Sequence, residues 1–303
     1  MSFEENNYSV HSVHNVAQRL DSRTVAFALL GNPVSHSLSP LMYNAAFTYC
    51  GLNCCYLAFT VESHSLSSAV DGIRAMGWGG FNVTAPHKEA IIPYLDGISE
   101  EAEFIRSVNT VVNREGSLYG YTTDGVGLCR FLQEDSRVFP EKHRVLLLGA
   151  GGAARAVAFS LVKRGIKGIT IANRNRGKAE DMADMLKKNF PLTDVRVIYL
   201  LAESLEKELA DNTLIINTLN FDAPPLIEAI ISYGEKRANM GKRFMVDLRY
   251  NPEKTALMQK FCHYGGEAYN GKGMLWGQAV HAFEYFIPHM EAPADVMRLA
   301  LNY

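Results

Sequence analysis

The stretch Arg144-Val145-Leu146-Leu147-Leu148-Gly149-Ala150-Gly151-Gly152-Ala153-Ala154-Arg155-Ala156 decides how the rest of the chain is read. Residues 145–148 form an unbroken apolar run, which predicts a strand buried on both faces, and residues 155–163 read as helix. The chain therefore passes from strand through a glycine turn into a helix. A turn of this kind lets backbone N–H groups at a helix N-terminus approach a pyrophosphate that a Cβ would hold away. Gly149 suits the tight turn, Gly151 the close approach and Ala154 the packing of helix on strand, with Ala150, Gly152 and Ala153 completing the loop. Alone, a G-x-G-x-x-A match is weak, because a βα turn can carry glycines that bind nothing. Its flanks raise it to a dinucleotide site.

The second strand of that unit chooses the dinucleotide. In NAD-binding turns an acid about 20 residues on takes the ribose 2′-hydroxyl, whereas an arginine there holds a 2′-phosphate. Here the chain reads Asn173-Arg174-Asn175-Arg176-Gly177-Lys178, with no acid. Asn173, Arg174 and Lys178 therefore point to NADP(H).

Working outward, strands continue to alternate with helices on both sides. Before the turn, residues 24–30, 55–61 and 80–83 read as strands, and 41–50 and 66–76 as helices. Ser39 offers an N-cap ahead of Pro40, and Pro86 opens a further helix. Residues 108–112 and 117–121 flank Asn113-Arg114-Glu115-Gly116 as a hairpin. After the turn, strands are expected near 169–172, 195–200, 214–217 and 244–247. The closing segment, 274–288 and 293–301, is helical without further strands, so it is expected to cross back onto the first half.

The fold class that follows is α/β in two domains. An N-terminal α/β domain with a mainly parallel sheet (residues 24–124 plus 273–303) is expected beside a Rossmann-type doubly wound NADP-binding domain (residues 125–272). Residues 1–23 read as an N-terminal extension.

Composition narrows the partners. The chain has 303 residues, with 30 basic and 32 acidic side chains and a net charge of −2. No positive surplus exists to neutralise a phosphate backbone or anionic lipid, so neither nucleic acid nor membrane is expected as a partner. The five cysteines form no C-x-x-C pair, and no metal is expected. The first residues lack the apolar core of a signal peptide, and no run of about 18 apolar residues occurs. A cytoplasmic protein acting on a small molecule is expected, and a homodimer is left open as the assembly.

A nicotinamide enzyme also needs a group that handles the proton accompanying the hydride. Lys88 is a candidate, in the first turn of the helix begun by Pro86, and Asp124 in Thr122-Thr123-Asp124-Gly125 is its natural counter-group. The helix end and Asp124 pull the lysine's proton in opposite directions, and residue type alone leaves a surface lysine and a helix-capping aspartate as plain alternatives. Ser37 and Ser39 could bind a carboxylate. Asn82, Asn109 and Gln278 are amides in apolar surroundings, which demand partners from a ligand or from backbone.

Several separated motifs stand together in order: GNPVSHSLSP at 31–40, GFNVTAPHKE at 80–89, SVNT at 107–110, TTDGVG at 122–127, GAGGAARA at 149–156, NRNRGKA at 173–179 and GKGMLWGQA at 271–279. Through them the chain resembles the shikimate/quinate dehydrogenase family over residues 25–288, which implies that the first domain is a substrate domain facing the NADP-binding domain across a cleft. The resemblance implies reversible, NADP-dependent interconversion of 3-dehydroshikimate and shikimate on the chorismate route to aromatic amino acids. It implies Lys88 and Asp124 as the catalytic pair, and Ser37 and Ser39 as carboxylate ligands. Asn82, Thr84, Asn109 and Gln278 would be ring-hydroxyl ligands, with Tyr250 lining the cleft beside them. Thr218, Leu248 and Gly271 fall beside the cofactor. A quinate or dual-specificity dehydrogenase and a catalytically silent ligand-binding member are the alternatives. Two departures stand out: the family's small residues and glycine after Thr218 are replaced by Leu219-Asn220-Phe221-Asp222-Ala223-Pro224, and Arg249 stands where an apolar residue is common. Arg249 is expected either to serve an anionic substrate group or to point to solvent.

Overall fold

The computed structural model describes residues 20–237 and 241–302, so most of the expected N-terminal extension, residues 1–19, lies outside the described residues. The strands fall into two six-stranded sheets. The first contains β1 (Val25–Gly31), β2 (Cys54–Thr60), β3 (Gly80–Val83), β4 (Gly97–Ile98), β5 (Thr110–Arg114) and β6 (Ser117–Tyr121) in the order β2-β1-β3-β5-β6-β4. β1 pairs in parallel with β2 and β3, whereas β5 is antiparallel to both β3 and β6. The second contains β7 (Arg144–Leu148), β8 (Gly168–Asn173), β9 (Val195–Tyr199), β10 (Leu214–Asn217), β11 (Phe244–Asp247) and β12 (Glu267–Asn270) in the order β12-β11-β10-β7-β8-β9, parallel throughout. Strand order reverses at β7, where an open α/β sheet leaves a crevice for a ligand. The glycine turn sits at that switch point.

The helices are α1 (Ser39–Tyr49), α2 (Leu66–Ala75), α3 (His87–Ala90), α4 (Glu100–Ile105), α5 (Asp124–Glu134), α6 (Gly152–Lys163), α7 (Arg176–Asn189), α8 (Ala202–Asp211), α9 (Pro224–Arg237), α10 (Ala256–His263), α11 (Lys272–Phe286) and α12 (Ala294–Leu299). β7 is as buried as its apolar run predicts, with Val145 to Leu148 all inaccessible. The expected hairpin is β5–β6; Glu115 and Gly116 both adopt positive φ, as a tight two-residue hairpin turn requires.

Helices α5 and α11 carry the chain between the sheets, and glycine sets how closely they cross. A Cβ on Gly277 would fall inside contact with the Gly127 carbonyl, and one on Gly127 would meet the Gln278 backbone. From that crossing α11 runs over the first sheet, burying Trp276, Val280, Phe283 and Phe286 with Phe27, Met42, Tyr43 and Phe47. Burying such side chains contributes on the order of 1.5–3 kcal/mol each. Anchoring α11 this way fixes where its polar face lies.

Three local expectations differ from what the chain does. Ser39 is the first residue of α1 and not its cap; Leu38 precedes the helix without a side-chain cap, and Ser37 Oγ accepts the Ser39 N–H at 3.2 Å. Asp124 is likewise the first residue of α5, after Thr123, and caps nothing. β12 has no apolar run to announce it; Glu-Ala-Tyr-Asn becomes a strand by docking on the edge of β11.

Candidate active site

A cavity of about 230 Å³ opens between the two sheets. Ser37, Ser39, Asn82, Thr84, Lys88, Asn109, Asp124, Tyr250 and Gln278 all line it, joined by Ala153, Leu248 and Gly271. These residues come from α1, β3, α3, α5, α6, α11 and the loops after β1, β3, α4, β11 and β12. Chain segments far apart in sequence therefore converge on one space.

At its polar centre, Lys88 Nζ lies 2.5 Å from Asp124 Oδ2, with side chains 17% and 6% exposed. Asp124 Oδ1 accepts from Asn109 Nδ2 at 3.0 Å, so each carboxylate oxygen has its own donor. Lys88 is held from behind: its carbonyl accepts the Val108 N–H at 2.9 Å, and the buried ring of its neighbour His87 bonds the Val61 carbonyl at 2.7 Å. Because α3 has only four residues, the macrodipole invoked from the sequence is small. The ion pair and these backbone bonds fix the ammonium.

Asn109 is the hub of the network around the pair. Its Nδ2 faces Thr123 Oγ1, Asp124 Oδ1 and Gln278 Oε1 at 2.9, 3.0 and 3.3 Å, while its Oδ1 accepts the Thr123 N–H at 2.7 Å. Two hydrogens serving three acceptors leave its amide nitrogen fully engaged. Asn82 is locked differently: Nδ2 donates to the Asn109 carbonyl and Thr110 Oγ1, both at 3.0 Å, and Oδ1 accepts from Tyr56 at 2.7 Å. That leaves Asn82 one acceptor site facing the cavity. Burial, reinforced by the neighbouring Tyr43 phenol, pushes the Tyr56 hydroxyl well above its ordinary range, so it remains a donor. Gln278 gives one amide hydrogen to the Leu275 carbonyl at 3.1 Å and keeps the other.

Of the two cavity serines, Ser39 is buried and Ser37 half-buried. Burial raises the Tyr250 phenol above its usual range, partly offset by hydrogen bonds with the Leu38 backbone and Ser37. A protonated phenol and two serine hydroxyls thus lie together in the cavity.

The glycine turn fits a dinucleotide on its own geometry. Gly149 has φ +108°, and its N–H donates to the Ala172 carbonyl at 2.9 Å. Gly151 is exposed, and a Cβ built there would point into open space. The first turn of α6 carries neither a side-chain cap nor an acid, so its N–H groups face that space unopposed. Ala150 is buried behind the turn, Gly152 opens α6, and Thr218 packs over Gly149 with its hydroxyl on the Leu148 carbonyl at 2.7 Å. At the end of β8, Asn173 Nδ2 bonds the Asn175 carbonyl at 2.9 Å, and Asn175 Oδ1 caps the Lys178 N–H at 3.1 Å. The Lys178 side chain lines a separate groove with Glu89 and Arg155. Arg174 lies with its guanidinium carbon 4.6 Å from the centre of the Phe221 ring.

Sequence reasoning did not single out four contributors. Thr110 and Thr123 stand inside motifs already quoted and could have been found there. Tyr56 lies in a strand of ordinary apolar pattern and gives no local signal. Arg155, which follows the glycine turn, clasps the first half of the chain: Nε bonds the Ile105 carbonyl at 2.8 Å and Nη2 pairs with Glu89 at 2.7 Å. Arg249 serves neither of its expected roles, because Asp247 and Asp222 take its guanidinium.

Among the described residues no helix is long and apolar enough to cross a membrane, and no cluster of three or more His, Cys, Asp or Glu could hold a metal ion.

Comparison with known proteins agrees with this geometry. Residues 29–111 match the model of the shikimate dehydrogenase substrate binding domain, and residues 134–256 that of shikimate / quinate 5-dehydrogenase. The chain is 40% identical over 293 residues to shikimate dehydrogenase (NADP(+)) of Methanopyrus kandleri, covering 95% of this chain and 98% of that one. It superposes with a TM-score of 0.81 and 32% identity on shikimate 5-dehydrogenase from Listeria monocytogenes in complex with shikimate and NAD, over 94% and 99% of the two chains. The enzyme from Thermus thermophilus, in complex with NADP(H) and shikimate, gives 0.76 and 30% over 92% and 98%. With both halves matched and the alignment running through nearly the whole chain, the protein belongs to the shikimate/quinate dehydrogenase family.

Proposed function

We propose that this chain is an NADP-dependent shikimate dehydrogenase, interconverting 3-dehydroshikimate and shikimate in chorismate biosynthesis in the cytoplasm. Residues 24–124 and 273–303 would form the substrate and catalytic domain, and 125–272 the cofactor domain. The observation that carries this is the Lys88–Asp124 pair opening on a cavity that also receives Ala153 from the glycine turn. Arg174, where a 2′-hydroxyl-binding acid would stand, supports NADP(H) over NAD(H).

NADP(H), when bound, would supply or accept the hydride exchanged with the ring carbon that carries the reacting oxygen. Lys88 gives that oxygen its proton in reduction and takes it back in oxidation, while Asp124 orients the same hydroxyl and keeps the amine facing it. Asn109 holds Asp124 in place through Oδ1, leaving Oδ2 to the lysine. Ser37, Ser39 and Tyr250 receive the carboxylate with hydroxyl donors. The spare acceptor of Asn82, the Thr84 hydroxyl and the free amide hydrogen of Gln278 meet the remaining ring hydroxyls, with Asn109 beside them. Gly149, Ala150, Gly151, Gly152 and Ala153 would cradle the pyrophosphate, Asn173 and Arg174 would hold the adenosine end, and Thr218, Leu248 and Gly271 would flank the nicotinamide side.

Turnover of shikimate and quinate, each with NADP and NAD, tests the proposal. The shikimate–NADP pair is expected to have the highest kcat/KM. A higher value for quinate with NAD would reassign the enzyme, and binding of both ligands without turnover would make it a silent family member. Sedimentation of the same preparation would show whether it is a homodimer.

A further inference from the structure

The segment 219–224 and Arg249, the two departures from the family pattern expected from the sequence, form one construction in the folded chain. Arg249 grips the buried Asp247 through Nη2 at 2.8 Å and Nε at 3.2 Å, while its Nη1 holds the exposed Asp222 at 2.9 Å. Asp247 is fixed in turn by Asn217 Nδ2 at 3.1 Å and Thr255 Oγ1 at 2.8 Å. The loop is therefore tied through Asp222 to the end of β11. Next to that tie, Phe221 lies against the Arg174 guanidinium at 4.6 Å.

What Phe221 does to Arg174 follows from how a guanidinium makes contacts. An exposed arginine samples many rotamers and loses that freedom when it binds a phosphate. A carboxylate partner would order it in advance but would occupy its N–H fork and cancel its charge. A ring orders it through the face of the guanidinium and leaves the donors at the edge free. No carboxylate among the described residues pairs with Arg174, so both the fork and the charge remain available.

Resting on the NADP(H) reading above, we propose that Phe221 is a positioning residue for cofactor choice. Its ring holds Arg174 ready for the 2′-phosphate, and the Asp222–Arg249–Asp247 tether holds the ring. The unusual loop is thus part of the adenosine subsite, and Arg249 acts on the cofactor from a distance without touching it.

Calorimetric titration of the full chain with adenosine 2′,5′-bisphosphate and with 5′-ADP tests this without any turnover. Phe221→Leu keeps the bulk and loses the aromatic face; it should bind the 2′,5′-bisphosphate about 2- to 5-fold more weakly, the size of a surface cation–π contact, and 5′-ADP unchanged. Phe221→Tyr should behave as the unmodified protein. Asp222→Asn, which changes only an exposed group, should shift affinity in the same direction as Phe221→Leu. Equal losses for both ligands, no loss, or failure of Phe221→Tyr to restore affinity would overturn the positioning role. If the unmodified protein binds both ligands alike, the NADP(H) reading itself fails and takes the proposal with it.

Discussion

Replacing Lys88 and Asp124 singly and together asks whether they act as one device. Lys88→Ala removes the Nζ that lies 2.5 Å from Asp124, leaving Oδ1 with Asn109 and Oδ2 facing the cavity. In stability the loss of one hydrogen bond to a charged group costs about 1.5–3 kcal/mol, and water entering the open side keeps it near the lower figure. In rate the loss is larger. A positioned general acid contributes about 10²–10⁴-fold, which at roughly 1.4 kcal/mol per decade is about 2.7–5.4 kcal/mol of barrier. Asp124→Asn keeps the shape and the place of the carboxylate but removes the charge that holds the ammonium, so kcat should fall within the same range. If proton transfer needs both, the double variant falls no further than the worse single one. The assay is initial-rate oxidation of shikimate with NADP, with KM expected to stay within about threefold because the lost interaction belongs to the transition state. Losses that multiply in the double variant refute the unit, and a large KM rise at unchanged kcat moves Lys88 from proton transfer to binding.

Two further outcomes follow from the geometry. A Cβ at Gly151 points into open space, whereas one at Gly277 meets the Gly127 backbone. Gly151→Ala should therefore keep its urea midpoint while weakening NADPH binding, and Gly277→Ala should lower the midpoint; the opposite pattern would show that Gly151 serves the fold and not the cofactor. Burial holds the His281 imidazole below its usual range, against the pull of Glu284, and holds His143 down too, with Lys167 adding to it. A folded chain with depressed values binds fewer protons than the unfolded one. The stability is therefore complete above the unfolded value of about 6.5 and is lost as pH falls through the folded values. The urea midpoint should drop between about pH 7.5 and pH 5.5, and His281→Gln should flatten the slope; an unchanged slope would mean that other groups set the acid limit.

How much of this is legible in the sequence depends on where each contact comes from. β7, its glycine turn and α6 can be read because the apolar run, the glycines and the helix are consecutive, so local pattern and final structure coincide. β12 cannot, because Glu267 to Asn270 become a strand only against the edge of β11. The site divides in the same way. Lys88, Asp124 and Asn109 stand in motifs whose order points to them, and the cavity gathers them. The Tyr56 contact to Asn82 depends on a register between β2, β1 and β3 that no stretch of sequence states. Arg249 escapes its expected roles for a related reason: whether an arginine meets solvent or an acid depends on which loop folds over it, and Asp222 lies far away along the chain. The serine pair differs from expectation by a small shift of the helix start, since a helix that begins at Ser39 has Leu38 as its cap position and leaves the Ser39 N–H to Ser37 Oγ.

The tight crossing of α5 and α11 bears on how the protein is made. β1 and α1 are synthesised early, yet the apolar face that covers Phe27, Tyr43 and Phe47 arrives with α11, after the whole second sheet. Domains generally fold as units during synthesis, the N-terminal one first. Here the second sheet holds a complete set of parallel partners before α11 emerges, while the first waits with aromatic side chains uncovered. The same late helix brings Gln278 to the cavity. A nascent chain stopped short of it would thus carry a formed nucleotide crevice beside an unfinished, aggregation-prone substrate half, and competence for chemistry would come with the final helices.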